Sequence, residues 1–168
     1  MTLTYHSPSN RLQLVNVRES GKETTAALAA AHALVRLDDG TVVGDPMEKT
    51  TLDALGYQLN KGDLVSQGDH NRHHGALHIR RRFQFSSALK RMSTVSTLPN
   101  NRTLVAVKGA PETIKTMLAE VPDFYDDTYK WFTRRGSRVL AIAFKESESM
   151  SQDKVRHILA CRDGDPDR

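Results

Sequence analysis

Between Leu77 and Phe85 the chain alternates. Leu77, Ile79, Phe83 and Phe85 interleave with His78, Arg80, Arg82 and Gln84, and only Arg81 breaks the apolar file. A period of two predicts a strand with one face in a core, which puts Arg80 and Arg82 together on the solvent face. Two serines and a short turn end it, and Arg91 to Leu98 reads as a second strand. Pro99-Asn100-Asn101-Arg102 is a turn signal, and the alternation of Thr103 to Val107 completes a hairpin. Val139 to Phe144 is an apolar run between Arg138 and Lys145 and fits a buried strand. Leu12, Leu14, Val15 and Val17 make a further strand near the start.

Helical patterns flank these strands. Glu23 to Leu37 is rich in alanine and leucine and predicts a helix ended by Asp38-Asp39-Gly40. After the apolar step Thr41-Val42-Val43, Pro46 suits the first turn of a helix that runs to about Leu55 and stops at Gly56. Pro111 opens another through about Leu118. Asp123 caps a third that Gly136 ends, and Ser151 to Ala160 reads as a last one. Lys61 to Gly75 is polar and reads as a loop, and Cys161 to Arg168 as a disordered tail. Strands in the middle with helices around them predict an α+β fold with an antiparallel sheet flanked by helices.

At 168 residues the chain suits one domain with a real core. The net charge of +4 allows an anionic ligand without requiring nucleic acid. Cys161 is the only cysteine, so no disulfide forms within the chain, which suits a reducing compartment. No apolar run approaches the length of a membrane span, and Met1 to Arg11 lacks a signal-peptide core.

Two clusters invite a reading and do not sustain it. His70, Asn71, Arg72, His73 and His74 lack a second anchored ligand for a metal, so no metal site is assigned. Arg80-Arg81-Arg82 suggests RNA, but on an alternating strand it reads as a solvated face. The chain has neither a G-x-x-x-x-G-K-[ST] phosphate loop nor a G-x-G-x-x-G fingerprint. An aromatic ring at a strand end with a lysine nearby, as in Phe85 and Lys90, suits a purine phosphate: a face for the base and charge for the phosphates. Taken alone, the same pair is also what a core phenylalanine and a solvated lysine look like.

Four islands, in order, are Gly44-Asp45-Pro46-Met47-Glu48, Phe85 with Lys90, Lys108-Gly109-Ala110-Pro111-Glu112, and Arg138-Val139-Leu140-Ala141. Together they resemble the nucleotide-binding (N) domain of P-type ATPases, whose islands read GDP-x-E, F-S-S-x-x-K-R-M-S, KGAPE and R-x-L-A. The resemblance covers roughly Thr24 to Lys145. FSSALKRMS, VKGAPETI and LDDGTVVGDPMEKT look closest to the type V group A branch, found in the endoplasmic reticulum.

The resemblance implies an ATP cleft at one end of the sheet. Phe85 would stack on adenine, and Glu48 would accept a hydrogen bond from its exocyclic amine. Lys108 would line the floor, Gly109 would leave room for the ring, and Lys90 and Arg138 would face the phosphates. It also implies a division into segment 1–22, following the phosphorylation motif, a nucleotide-binding domain over 23–150, and a helix with a divergent tail over 151–168. The family's Asp-Lys-Thr-Gly-Thr motif is absent, so the phosphorylated aspartate, with its Mg²⁺, would belong to another domain of the parent. This chain alone would bind ATP without turning it over. Its partners would be the parent's phosphorylation and actuator domains, on the cytosolic face of the endoplasmic reticulum membrane. A small basic RNA-binding protein is the alternative. A stand-alone phosphatase or kinase would need a metal-binding aspartate motif that is not found.

Overall fold

The structure is a computed structural model and describes residues 2–6, 12–15, 22–68 and 75–148. In chain order its strands and helices are β1 (Thr2–His6), β2 (Leu12–Val15), α1 (Lys22–Ala30), β3 (Val35–Arg36), β4 (Val42–Val43), α2 (Pro46–Ala54) and β5 (Tyr57–Leu59). There follow β6 (Leu64–Gln67), β7 (Leu77–Ser86), β8 (Arg91–Thr97), β9 (Thr103–Gly109), α3 (Pro111–Lys115), α4 (Tyr125–Thr133) and β10 (Arg138–Ser147). Eight strands form one antiparallel sheet in the order β2-β1-β10-β9-β8-β7-β6-β5, and β3 pairs with β4 separately. This is the α+β architecture that the alternating pattern predicts.

The sheet carries helices on both faces. In front, Ala27, Leu28 and Ala31 pack on Ala106 and Ile142, while Ala30, Leu34 and Leu52 meet Leu59, Leu77, Ile79 and Leu104. Behind, Ile114, Tyr125 and Tyr129 cover Val107, Val139 and Ala141. The Tyr125 hydroxyl is fully buried and donates to the Pro111 carbonyl at 2.7 Å, which pins α4 to the start of α3.

The β7 strand corrects the simple alternation. Ile79 stands opposite Ser96, but Arg81 stands opposite Val95, so Arg80 is an extra residue and the ladder bulges there. One inserted residue exchanges the faces. Leu77 and Ile79 stay in the front core, whereas Phe83 packs behind, on Val95 and Val105. Arg82 swings to the front, where it pairs with Asp63 at 2.7 Å and donates to the His32 carbonyl at 3.1 Å. Arg80 and Arg82 therefore do not share a solvent face: the side chain of Arg82 is only 13% exposed.

Other boundaries differ for reasons of contact. The first helix stops at Ala30, and Val35–Arg36 and Val42–Val43 form a hairpin around the Asp38-Asp39-Gly40 turn. The chain leaves the helix because the Ala33 amide donates to the Glu48 carboxylate at 2.8 Å. Tyr57–Leu59 and Leu64–Gln67 are strands, although the polar stretch from Lys61 reads as a loop. Thr2–His6 is a strand that the sequence pattern did not announce. Helix α3 ends at Lys115, three residues short of Leu118. Phe124, not Asp123, holds the position before α4, and no side chain caps it. Val17, the histidine cluster at His70, the helix read at Ser151 to Ala160 and the tail lie outside the described residues.

Candidate functional site

The four islands converge although they are far apart in sequence. Helix α2 begins with Asp45 as its cap, the carboxylate accepting from the Met47 amide at 2.7 Å, and Pro46 occupies the first turn. Gly44 just before it has φ +142°, and a Cβ there would sit 2.7 Å from the Leu34 side chain. Only glycine lets the chain turn this closely over Leu34, in the segment after α1. The turn aims Glu48 at the end of β9, where its Oε1 meets the Lys108 ammonium at 2.7 Å. With Oε2 held by the Ala33 amide, one carboxylate ties α2, the end of α1 and the sheet together.

Around this pair lies a cleft of about 340 Å³, within the size range of small-molecule sites. Glu48, Phe85, Lys108, Gly109 and Arg138 all line it. Phe85 is 61% exposed, an unsatisfied apolar ring at the rim. The second register shift in β7, between Phe83 and Ser86, separates Phe85 from the rear packing of Phe83 and leaves it at the cleft. Lys108 and Glu48 are nearly buried, while Arg138, at the start of β10, is exposed. The cleft thus runs from an aromatic rim over a hydrogen-bonding floor to a cationic edge. A carboxylate has about four acceptor sites, so Glu48 keeps capacity for a ligand donor beyond the two bonds it makes.

Two of the expected residues stand differently. Lys90 does not line the cleft; it sits exposed in the β7–β8 turn with φ +50°. Gly109 lines it, but its missing side chain serves the backbone: a Cβ there would lie 2.8 Å from the Arg91 Cα and run into the Lys90 carbonyl oxygen. That carbonyl accepts from the Ala110 amide at 3.0 Å, so the corner after β9 and the turn before β8 are locked together. The direction a Cβ would take from Gly109 is occupied by the Lys90–Arg91 backbone.

The sequence reading missed Met92, Leu140 and His32. Met92 is the second-last residue of FSSALKRMS and Leu140 the third of R-x-L-A, and both supply apolar lining. His32 gave no signal, since it falls within a stretch that reads as helix. It is 2% exposed and also lines the cleft. Its Nδ1 accepts from the Leu34 amide at 3.2 Å. Burial, then the charges of Arg82 and Lys108, push its pKa down to about 3, against a smaller upward pull from Asp63. The ring is neutral at physiological pH. Among the described residues no group of three or more acidic, histidine or cysteine side chains is placed to hold a metal.

Residues 24–119 match the family described as the P-type ATPase cytoplasmic domain N. The chain belongs to this family. An endoplasmic reticulum transmembrane helix translocase of Aspergillus fumigatus is 50% identical over 149 residues, covering 79% of this chain and 11% of that protein. The protein so named in Saccharomyces cerevisiae is 47% identical over 146 residues, covering 87% of this chain and 12% of its own length. A probable manganese-transporting ATPase of Arabidopsis thaliana is 41% identical over 135 residues, covering 79% and 11%. This N domain thus spans about a tenth of the length of these relatives. Among its described residues no helix is long and apolar enough to cross a membrane.

Proposed function

We propose that this N domain binds ATP in the cleft between the start of α2, the end of β9 and the start of β10. Phe85 stacks on the base, worth about 1–3 kcal/mol by analogy with base stacking elsewhere. Glu48 takes the exocyclic amine while Lys108 holds the carboxylate in place. Arg138 faces the phosphates, where a charge-assisted contact is strong. Lys90 is exposed and does not line the cleft, so its part is the smaller one. The observation that carries this reading is the convergence of five residues, from four separated islands, on one cleft.

The domain's contribution to phosphoryl transfer is positioning. It holds the nucleotide so that the γ-phosphate meets an aspartate on the parent's phosphorylation domain. Mg²⁺ neutralises the phosphates there and is not held by these residues. With relatives named as endoplasmic reticulum transmembrane helix translocases, the parent works at that membrane, with this domain on the cytosolic side. The test is an NMR titration of the chain with ATP, together with incubation with γ-labelled ATP and Mg²⁺. The expected result is amide shifts clustered at Glu48, Phe85, Lys108 and Arg138 with no sustained phosphate release. Shifts centred elsewhere, or turnover well above a buffer blank, would overturn it.

A further inference from the structure

The cleft holds one hydrogen-bonding group that the reading above leaves unused. His32 accepts through Nδ1 from the Leu34 amide, so the neutral ring carries its proton on Nε2. That Nε2 is buried and has no hydrogen-bond partner among the described residues. A buried donor left unpaired is costly, and such groups are rare without water or a ligand to satisfy them. His32 lies directly after α1 in a wall that also contributes Ala31 and Ala33, and Glu48 is bonded to the Ala33 amide next to it. An acceptor (Glu48, bonded to the Ala33 amide) and a neutral donor (His32, the residue before Ala33) therefore line the same cleft.

A purine presents the matching pattern. Adenine offers an exocyclic amine as donor and ring nitrogens as acceptors within one planar edge. We propose that His32 is a base-reading residue whose Nε2–H donates to a ring nitrogen of the bound purine, alongside the Glu48 contact to the amine. This rests on the ATP reading above. The backbone holds the donor in place: the Leu34 amide fixes the tautomer, and Arg82 Nε donates to the His32 carbonyl at 3.1 Å. Recognition is then by two groups of opposite hydrogen-bonding sense, which a guanine edge, with a carbonyl in place of the amine, does not satisfy.

The test compares ATP with 1-deaza-, 3-deaza- and 7-deaza-ATP, each replacing one ring nitrogen by a C–H. Titration calorimetry of the parent chain is expected to show one analogue bound about tenfold to a hundredfold more weakly than ATP and the other two close to ATP. In His32→Phe that difference should vanish, while the Phe85→Ala variant should retain it. All three analogues binding like ATP would overturn the proposal, as would undiminished discrimination in His32→Phe. Either result leaves ATP binding itself intact, whereas no binding of ATP at all would remove the functional reading as well. If His32→Phe does not fold, ¹⁵N NMR of the parent decides: the Nε2 resonance should move on adding ATP and move much less with the weak analogue. A resonance that ignores ATP would overturn it.

Discussion

The Glu48 carboxylate and the Lys108 ammonium meet at 2.7 Å across a separation of 60 residues, and both are largely withdrawn from solvent. The pair is the joint between α2 and the sheet. Lys108→Met should leave Glu48 with only the Ala33 amide and destabilise the domain by about 1–3 kcal/mol. Glu48→Gln in that background should recover part of the loss. A double-mutant cycle by urea unfolding measures this, and additive effects would show that the pair is not a joint.

Phe85 and Arg138 should separate base from phosphate. Phe85→Ala should hardly change stability, since the ring is 61% exposed, yet weaken adenosine, ADP and ATP alike by about tenfold to a hundredfold. Arg138→Ala should weaken ADP and ATP and spare adenosine. Raising the salt concentration should reduce ATP binding more than adenosine binding. Calorimetric titration of three ligands against both variants checks the pattern. Loss of adenosine binding in Arg138→Ala would reverse the assigned roles.

Gly109→Ala should cost stability as well as affinity. Its Cβ would lie 2.8 Å from the Arg91 backbone, which has to shift to admit it, at about 1–3 kcal/mol. A melting curve and an ATP titration should fall together. A native melt with binding lost would restore the simpler view that the glycine makes room for the base.

His32 should set an acid limit to stability. Its folded pKa of about 3 lies below the unfolded value of 6.5. Between these values the unfolded state binds the proton and the folded state does not. The contribution is present above about pH 6.5 and lost as pH falls toward about 3, at about 1.4 kcal/mol per unit. Arg82, Lys108 and Asp63 are the charges acting on the ring. Asp63, held below the usual carboxylate range chiefly by its hydrogen bond from Arg82, adds its own loss only below about pH 4. Urea unfolding from about pH 7 to about pH 4.5 should show this slope in the parent chain and a flatter one in His32→Phe. Parallel slopes would exclude His32 as the cause.

Much of the fold was written locally. Strands β7 to β10 follow from alternation or apolar runs, and Asn101 takes its left-handed turn at φ +62° between β8 and β9 as the turn signal requires. Asp45, Pro46 and Gly56 bracket α2 by capping chemistry that acts within a few residues. The four islands, and the family they indicate, were equally plain, because each is a short run of residue types. What the sequence alone could not place depends on partners far along the chain. The Arg80 bulge exists only against β8, and it sends Phe83 and Arg82 to faces that a strict period of two denies them. Helix α1 ends where Glu48, 15 residues on, captures the Ala33 amide, not where helical propensity runs out. The need for glycine at 109 is set by the Lys90–Arg91 backbone. Periodicity and propensity sum over neighbours in sequence, so they fix elements. Register, helix ends and the unpaired Nε2 of His32 are fixed by contacts across the chain, and only the packed structure brings those together.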